Sequence, residues 1–400
     1  MSKKDVSLWD KNVPQEPSLW DLWDREDDIM ANIFDYLQWR GDLTLEQDEF
    51  NEIDNLILAR FSYLPFDELI KENENVSIEE LAKRYKKANI KPEDILWKDD
   101  VNLLPALEKA ERFKNMIAVK YINKIDEEEE KQFSAITVLM PDDTIYVSYR
   151  GTDNTIVGWK EDFNMSFKSH VASQLDSVKY LEEIAKEYPN IKLRVGGHSK
   201  GGNLAVYAAV FSNDSVKNRI INVYNNDGPG FSDEIIKLDE YKNMIKKVHT
   251  FIPQSSVFGR LLNHEEKYTV LESVQTGIMQ HDLYSWQVLG NEFVRVDEIT
   301  DGSEFVNETI RGWLSKVSPE QREQFIDTIF AILNNTNAHR MHELSENWFV
   351  NAKTILKTYK NIDEESKKII TETLFCLFSI AKDNAFAKLQ YRGSIVWKKK

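Results

Sequence analysis

The strongest chemical signature in this sequence is Gly197-His198-Ser199-Lys200-Gly201, a G-x-S-x-G string. A serine on a sharp strand-to-helix turn has strained backbone angles, and flanking glycines let neighbouring chains pass where a Cβ would clash. The hydroxyl is then presented outward as a nucleophile. The new helix also aims its free amides, that of Lys200 included, at the place where a carbonyl oxygen would become an oxyanion. The plainer alternative is a glycine-rich turn whose serine only caps a helix. Context favours the nucleophile, because Ile191 to Val195 reads as a strand before the string and Asn203 to Val210 as a small-residue helix after it.

A serine hydroxyl needs a base, usually histidine, held by a carboxylate. The chain order Ser, Asp/Glu, His expected for such a turn places the base downstream, where five histidines lie. His249 falls in a predicted strand and His264 in a charged loop. His339 and His342, with Glu343 beside them, suit exposed helix positions better than a metal site. His281 follows the last predicted strand and is the favoured base. The favoured acid is Asp227, in the loop Asn225-Asn226-Asp227-Gly228-Pro229-Gly230 directly after the strand Ile220 to Tyr224. Asp227 could equally be a turn aspartate bonded to its own backbone, and Asp282, Glu265 and Glu272 stay open as alternatives. Thr152, just after the strand Thr144 to Tyr149, could offer an amide and a hydroxyl to the oxyanion. Arg150 and Asp162 read as partners that tie down this loop, with Trp159 between them in sequence.

The elements that must position these groups alternate. Strands are predicted at Met116 to Ile122, Phe133 to Met140, Thr144 to Tyr149, Ile191 to Val195, Ile220 to Tyr224, Lys246 to Phe251 and Tyr268 to Glu272. Pro141-Asp142-Asp143 suits a tight hairpin turn between the second and third. Helical spacing marks two helices in 28–69 around Gly41-Asp42, another from Pro105 to Phe113, and one from Leu175 to Tyr188 that Pro189 ends. Ser77 to Glu80 reads as a capping box, as does Ser318-Pro319-Glu320-Gln321. The segment Leu283 to Leu289 looks helical, and everything past Asp301 reads as helix, with Asp363 capping one. Such alternation predicts an α/β fold: a largely parallel sheet with helices on both faces, a helical N-terminal lead and a helical C-terminal extension. The boundaries drawn are a Trp-rich acidic lead at 1–27, a hydrolase-like domain at 28–290 and the extension at 301–400.

Composition narrows the function. The chain has 400 residues, 42% of them hydrophobic, with 15 Gly and 10 Pro, which excludes collagen-like and broadly disordered classes. Its 51 Lys+Arg against 67 Asp+Glu give a net charge of −16, which disfavours nucleic acid and anionic membrane surfaces as partners. A single cysteine, Cys376, cannot form an intramolecular disulfide, and the opening MSKKDVSLWDKNVP lacks the apolar stretch of a secretory signal, so a reducing cytoplasm is expected. No run approaches the roughly 20 apolar residues of a membrane span; Leu374 to Ala381 is expected to be a core helix.

Two motifs together, Tyr149-Arg150-Gly151-Thr152 with Trp159 and Asp162, then Gly197-His198-Ser199-Lys200-Gly201-Gly202, resemble the class 3, fungal-type lipases of the α/β-hydrolase superfamily. The sequence is more similar still to a bacterial branch of that group, which shares Asn32 to Asn55, Gly158 to Phe163, the G-H-S-K-G-G elbow, N-D-G-P-G, and Gln280-His281-Asp282 with Trp286. The resemblance covers roughly 28–289. It implies Ser199 as nucleophile, His281 as base, and Thr152 with Lys200 as oxyanion donors. In the lipases the acid follows the next strand, where this chain has Pro253-Gln254-Ser255-Ser256-Val257 and no carboxylate, which moves the acid to Asp227.

The resulting expectation is a serine esterase or lipase-like hydrolase that cleaves a small-molecule or lipid ester and needs no cofactor or metal. An acyltransferase or thioesterase on the same triad, and a non-catalytic binding protein on a hydrolase scaffold, are the rival readings.

Overall fold

The computed structural model describes residues 31–398, except 72–73, 89, 92–93, 337, 341–342 and 345–347. The lead 1–27 and His342 lie outside the described residues.

Eight strands form one sheet in chain order: β1 (Val76–Ser77), β2 (Ile117–Asp126), β3 (Lys131–Leu139), β4 (Thr144–Tyr149), β5 (Lys192–His198), β6 (Ile220–Asn226), β7 (Val248–Pro253) and β8 (Tyr268–Leu271). Pairing is antiparallel from β1 to β4 and parallel from β4 to β8. The change of direction follows from the connections. The acidic run after Asp126 and the Pro141-Asp142-Asp143 turn, with Asp143 at φ 57°, are short enough only for hairpins. Beyond β4 the longer, helix-containing connections allow parallel neighbours.

The helices before β2 include α1 (Ile33–Arg40), α2 (Glu52–Phe61), α3 (Ile78–Lys87) and α4 (Asp100–Lys109). Asn32 and Asn51 cap α1 and α2 with full capping boxes that use Asp35 and Asp54. At α3 only half of the expected box forms: Ser77 accepts the Glu80 amide, while the Glu80 carboxylate turns along the helix to Arg84. Farther on come α5 (Ile156–Asn164), α6 (Ala172–Glu187) and α7 (Lys200–Phe211).

Side chains alternate across the strands and divide two cores. On β3, Ile136 and Val138 pack with the N-terminal helices through Leu56, Ile57 and Leu107. Phe133 and Ala135 pack instead toward α6 and α7 through Leu181, Ile184 and Leu204. With helices on both faces and a strand–turn–helix crossing at Ser199, the chain has the α/β-hydrolase fold expected.

The C-terminal helices are α8 (Asp301–Lys316), α9 (Pro319–Asn334), α10 (Trp348–Asn361) and α11 (Glu364–Lys398). The Ser318 capping box forms as read, and Asp363 accepts the Ser366 amide at 2.8 Å. Ile326 and Phe330 of α9 join Ile156 of α5 in a third apolar cluster, which attaches the extension to the sheet domain. Two expectations change. Leu283 to Leu289 is not a helix but a 3-10 turn (Leu283–Ser285) followed by a two-residue strand. Leu374 to Ala381 is helical but core on one face only, because Ile380 is buried while Phe375 and Phe378 are 73% and 69% exposed. No helix among the described residues is long and apolar enough to cross a membrane.

Candidate active site

Ser199 sits between β5 and α7 at φ 57° and ψ −133°, in the left-handed half of backbone space that costs a non-glycine residue energy. The ladder explains how the strain is held. The Ser199 amide donates to the Asn226 carbonyl at 2.9 Å, and its carbonyl accepts the Gly202 amide at 2.9 Å. A Cβ at Gly197 would lie 2.4 Å from the Gly201 backbone, and one at Gly201 would lie 2.1 Å from the Tyr149 carbonyl, so both glycines are sterically required.

Asp227 follows β6 at the same sheet edge, which is where ligands bind in open α/β sheets. It is fully buried with φ 53°, and its amide donates to the Phe251 carbonyl at 2.8 Å. One carboxylate oxygen, Oδ2, lies 2.6 Å from His281 Nδ1. The other accepts the Ser256 hydroxyl at 2.5 Å and the Gly259 amide at 3.1 Å. Ser256, in the loop after β7, thus donates to a carboxylate that follows β6, one strand earlier. Of the alternatives, Asp282 accepts the Tyr284 amide, and His264 pairs with Glu266 at 2.9 Å. His249 lies beside Asn222 and Tyr224, and His339 is a surface residue 3.6 Å from Glu127.

The His281 ring is held between two others, with centroids 4.3 Å from His198 and 4.3 Å from Phe258. His198 is itself buried. Its Nε2 lies 2.9 Å from the His281 carbonyl, which can only accept, so Nε2 carries the proton and Nδ1 accepts from the Tyr63 hydroxyl at 3.0 Å. Burial, with His281 and Arg60 nearby, holds the His198 pKa well below its ordinary value. Tyr63 also accepts the Gly151 amide at 3.1 Å. One hydroxyl therefore joins the elbow to the loop that carries Thr152.

Ser199 and His281 line a common cavity of about 200 Å³ with Tyr63, Trp97, Thr152 and Trp159. Among the described residues no hydrogen bond joins the serine to the histidine. Such pairs are often loose in substrate-free sites and tighten in the reacting complex. The Thr152 hydroxyl donates to Asp162 Oδ2 at 2.5 Å. Asp162 Oδ1 is closed off without a hydrogen-bond partner among the described residues, 4.0 Å from Lys200 Nζ. Burial pushes the Asp162 pKa up to about 6, with Lys200 opposing. Arg150 does not pair with Asp162 as expected. It reaches Asp153 at 3.1 Å and Asn123 at 3.0 Å, because Asp153 lies on the same turn.

Lys200 has two separate parts. Its amide opens α7 beside Ser199. Its side chain is buried, with Nζ donating to Glu161 at 2.9 Å and to the Gln132 carbonyl and side chain at 2.9 and 2.8 Å. Glu161 in turn accepts the Gln132 and Ser173 amides. The lysine is a strut that ties the first turn of α7 to β3 and α5.

A second, apolar cavity of about 290 Å³ also reaches Ser199 and Lys200, and its walls include Trp159, Phe163, Phe258 and side chains of α8, α9 and α11. Sequence reasoning did not single out Tyr63, Ser256, Phe258 or these helix residues. Ser256 alone carried a signal, a hydroxyl where a carboxylate was sought.

No curated protein matches this chain. Among solved structures, Rhizomucor miehei lipase in a propeptide complex is 17% identical, with a TM-score of 0.31, over 40% of this chain and 57% of that one. A mutant of MDLA from Penicillium cyclopium is 14% identical, with a TM-score of 0.37, over 62% and 86% of the two chains. The lipase of Rhizopus microsporus var. chinensis is 15% identical, with a TM-score of 0.34, over 60% and 96%. This chain thus spans 57% of the length of the Rhizomucor miehei lipase. The Mbeg1-like family profile matches residues 107–331, more than half of the sequence including the elbow, Asp227 and His281, and the chain belongs to the Mbeg1-like family.

Proposed function

We propose that this protein is a serine hydrolase that cleaves carboxylic esters, lipase- or esterase-like, through an acyl-serine intermediate. The observation that carries the reading is the conjunction of a strained, glycine-flanked Ser199 with a His281 ring fixed by Asp227 at 2.6 Å in the same cavity.

In this reading Ser199 Oγ bonds to the ester carbonyl carbon as its proton passes to His281 Nε2. Asp227 fixes the proton on Nδ1, so Nε2 is the free basic nitrogen, and it stabilises the imidazolium that forms. The Thr152 and Lys200 amides receive the oxyanion. Collapse breaks the bond to the alcohol, which leaves with the proton from His281. Water then repeats the sequence on the acyl-serine and releases the acid. His281 lines the 200 Å³ cavity and not the apolar one, which orients the substrate. The alcohol must leave where it can be protonated, so the acyl chain extends into the apolar cavity.

A panel of chromogenic esters tests this. Turnover should vanish in Ser199→Ala and in His281→Ala, and transfer to added alcohols or thiols should stay minor beside hydrolysis. Turnover equal to wild type in Ser199→Ala would refute the reading, and dominant transfer would reassign the chain as an acyltransferase.

A further inference from the structure

We propose that α8, α9 and α11 form the acyl-binding wall of the active site, so that the C-terminal extension sets acyl-chain selectivity; this rests on the serine-hydrolase reading above. The apolar cavity at Ser199 is lined from α8 by Ile310 and Trp313, from α9 by Phe325 and Ile326, and from α11 by Leu374 and Leu377. Ile310 with Trp313, and Leu374 with Leu377, sit three apart, a spacing that turns both members to one side of their helix. Five of these six side chains are hydrocarbon, and the sixth, Trp313, adds a single indole N–H that has no hydrogen-bond partner among the described residues. Only an apolar chain gains from leaving water there.

Size points the same way. About 290 Å³ approaches the ~300 Å³ at which pockets begin to enclose organic ligands, far more than an acetyl group fills. The faces of α11 divide the work. Leu374 and Leu377 meet the cavity, while Phe375 and Phe378 point outward and are exposed. α11 also lies beyond the family-matched residues 107–331, so Leu374 and Leu377 extend a wall whose α8 and α9 side chains fall within the matched region. The ligand class is an ester with one linear, uncharged acyl chain well longer than acetate.

The test is a series of p-nitrophenyl esters from acetate through butyrate and octanoate to laurate, with wild type, Leu377→Trp, Leu377→Ala and Phe375→Ala. In wild type, kcat/KM should rise by about fourfold per buried methylene until the cavity is full. Leu377→Trp, which fills the cavity, should lower the octanoate-to-acetate ratio of kcat/KM by about tenfold or more. Leu377→Ala should move the optimum to longer chains, and Phe375→Ala on the outer face should keep the wild-type profile. A chain-length profile that neither Leu377 variant alters overturns the proposal, as does a uniform fall for all esters in a Leu377→Ala protein that melts like wild type. If Leu377→Trp does not fold, Leu377→Ala decides alone. Acetate turnover that survives Ser199→Ala would instead overturn the catalytic reading on which the proposal stands.

Discussion

The strand-end layer that holds Ser199, Asp227 and His281 differs in kind from the helical layer that closes over Ser199. In the first, both carboxylate oxygens of Asp227 are hydrogen-bonded and the backbone is strained at Ser199 and Asp227. In the second, helices meet around an apolar cavity and leave Phe375 and Phe378 exposed. Strain and dense bonding fix a geometry to fractions of an ångström, which acyl transfer needs. Loose apolar walls fix only a volume, which suffices to choose a chain length. Substitutions in the first layer should therefore cost rate or stability steeply, whereas those in the second should change selectivity.

The largest effect expected is at Asp227. Asp227→Asn should lower kcat by about 10⁴-fold, because an amide can stabilise the wrong histidine tautomer while the ring stays in place. Steady-state kinetics with unchanged melting behaviour would show it, and full activity would shift the acid to another residue. Next is Lys200→Met, which leaves Glu161 buried and uncompensated and should cost about 3–5 kcal/mol of folding stability in urea titrations. A loss under about 1 kcal/mol would mean the strut is dispensable. Tyr63→Phe removes the hydroxyl shared by His198 and Gly151, and should reduce kcat by about 10²-fold with KM little changed. A rise in KM at constant kcat would make Tyr63 a substrate contact instead.

The smallest effect is a pH dependence at Asp162. Its pKa is near 6 in the folded protein against an ordinary 3.8, so between about pH 4 and 6 the folded state holds a proton that the unfolded state has lost. The unfolding free energy then falls as pH rises through that window. The contribution is complete below pH 4 and gone above about 7. With the side chain 30% exposed, the loss should be about 1–2 kcal/mol. Asp162→Asn keeps an acceptor for Thr152 and should lack this slope; parallel wild-type and variant curves from pH 4 to 7 would contradict the assignment.

The contrast between the layers also explains what could be read in advance. Ser199 was legible because a glycine-flanked elbow demands particular residue types at fixed spacing, and the strands around it because their period is two. His281 and Asp227 were legible as residues at strand ends, but not their separation, since sequence distance says nothing about loop direction. Tyr63, 136 positions before Ser199, and Phe258 gave no signal, because a buried tyrosine or phenylalanine looks the same whether it fills a core or braces a catalytic ring. At Leu374 to Ala381 only the Ile380 face met the expectation of a core helix, for a related reason: an apolar stripe reports that a helix has a partner, not whether the partner is protein or ligand.

The most direct test of the central claim is covalent labelling with a fluorophosphonate, which reacts only with a serine activated by a base and an oxyanion site. Wild-type protein should be stoichiometrically phosphonylated at Ser199, as located by peptide mass, with no labelling in Ser199→Ala and strongly slowed labelling in His281→Ala. A wild-type protein that stays unlabelled, or a Ser199→Ala protein labelled as fast, would contradict it.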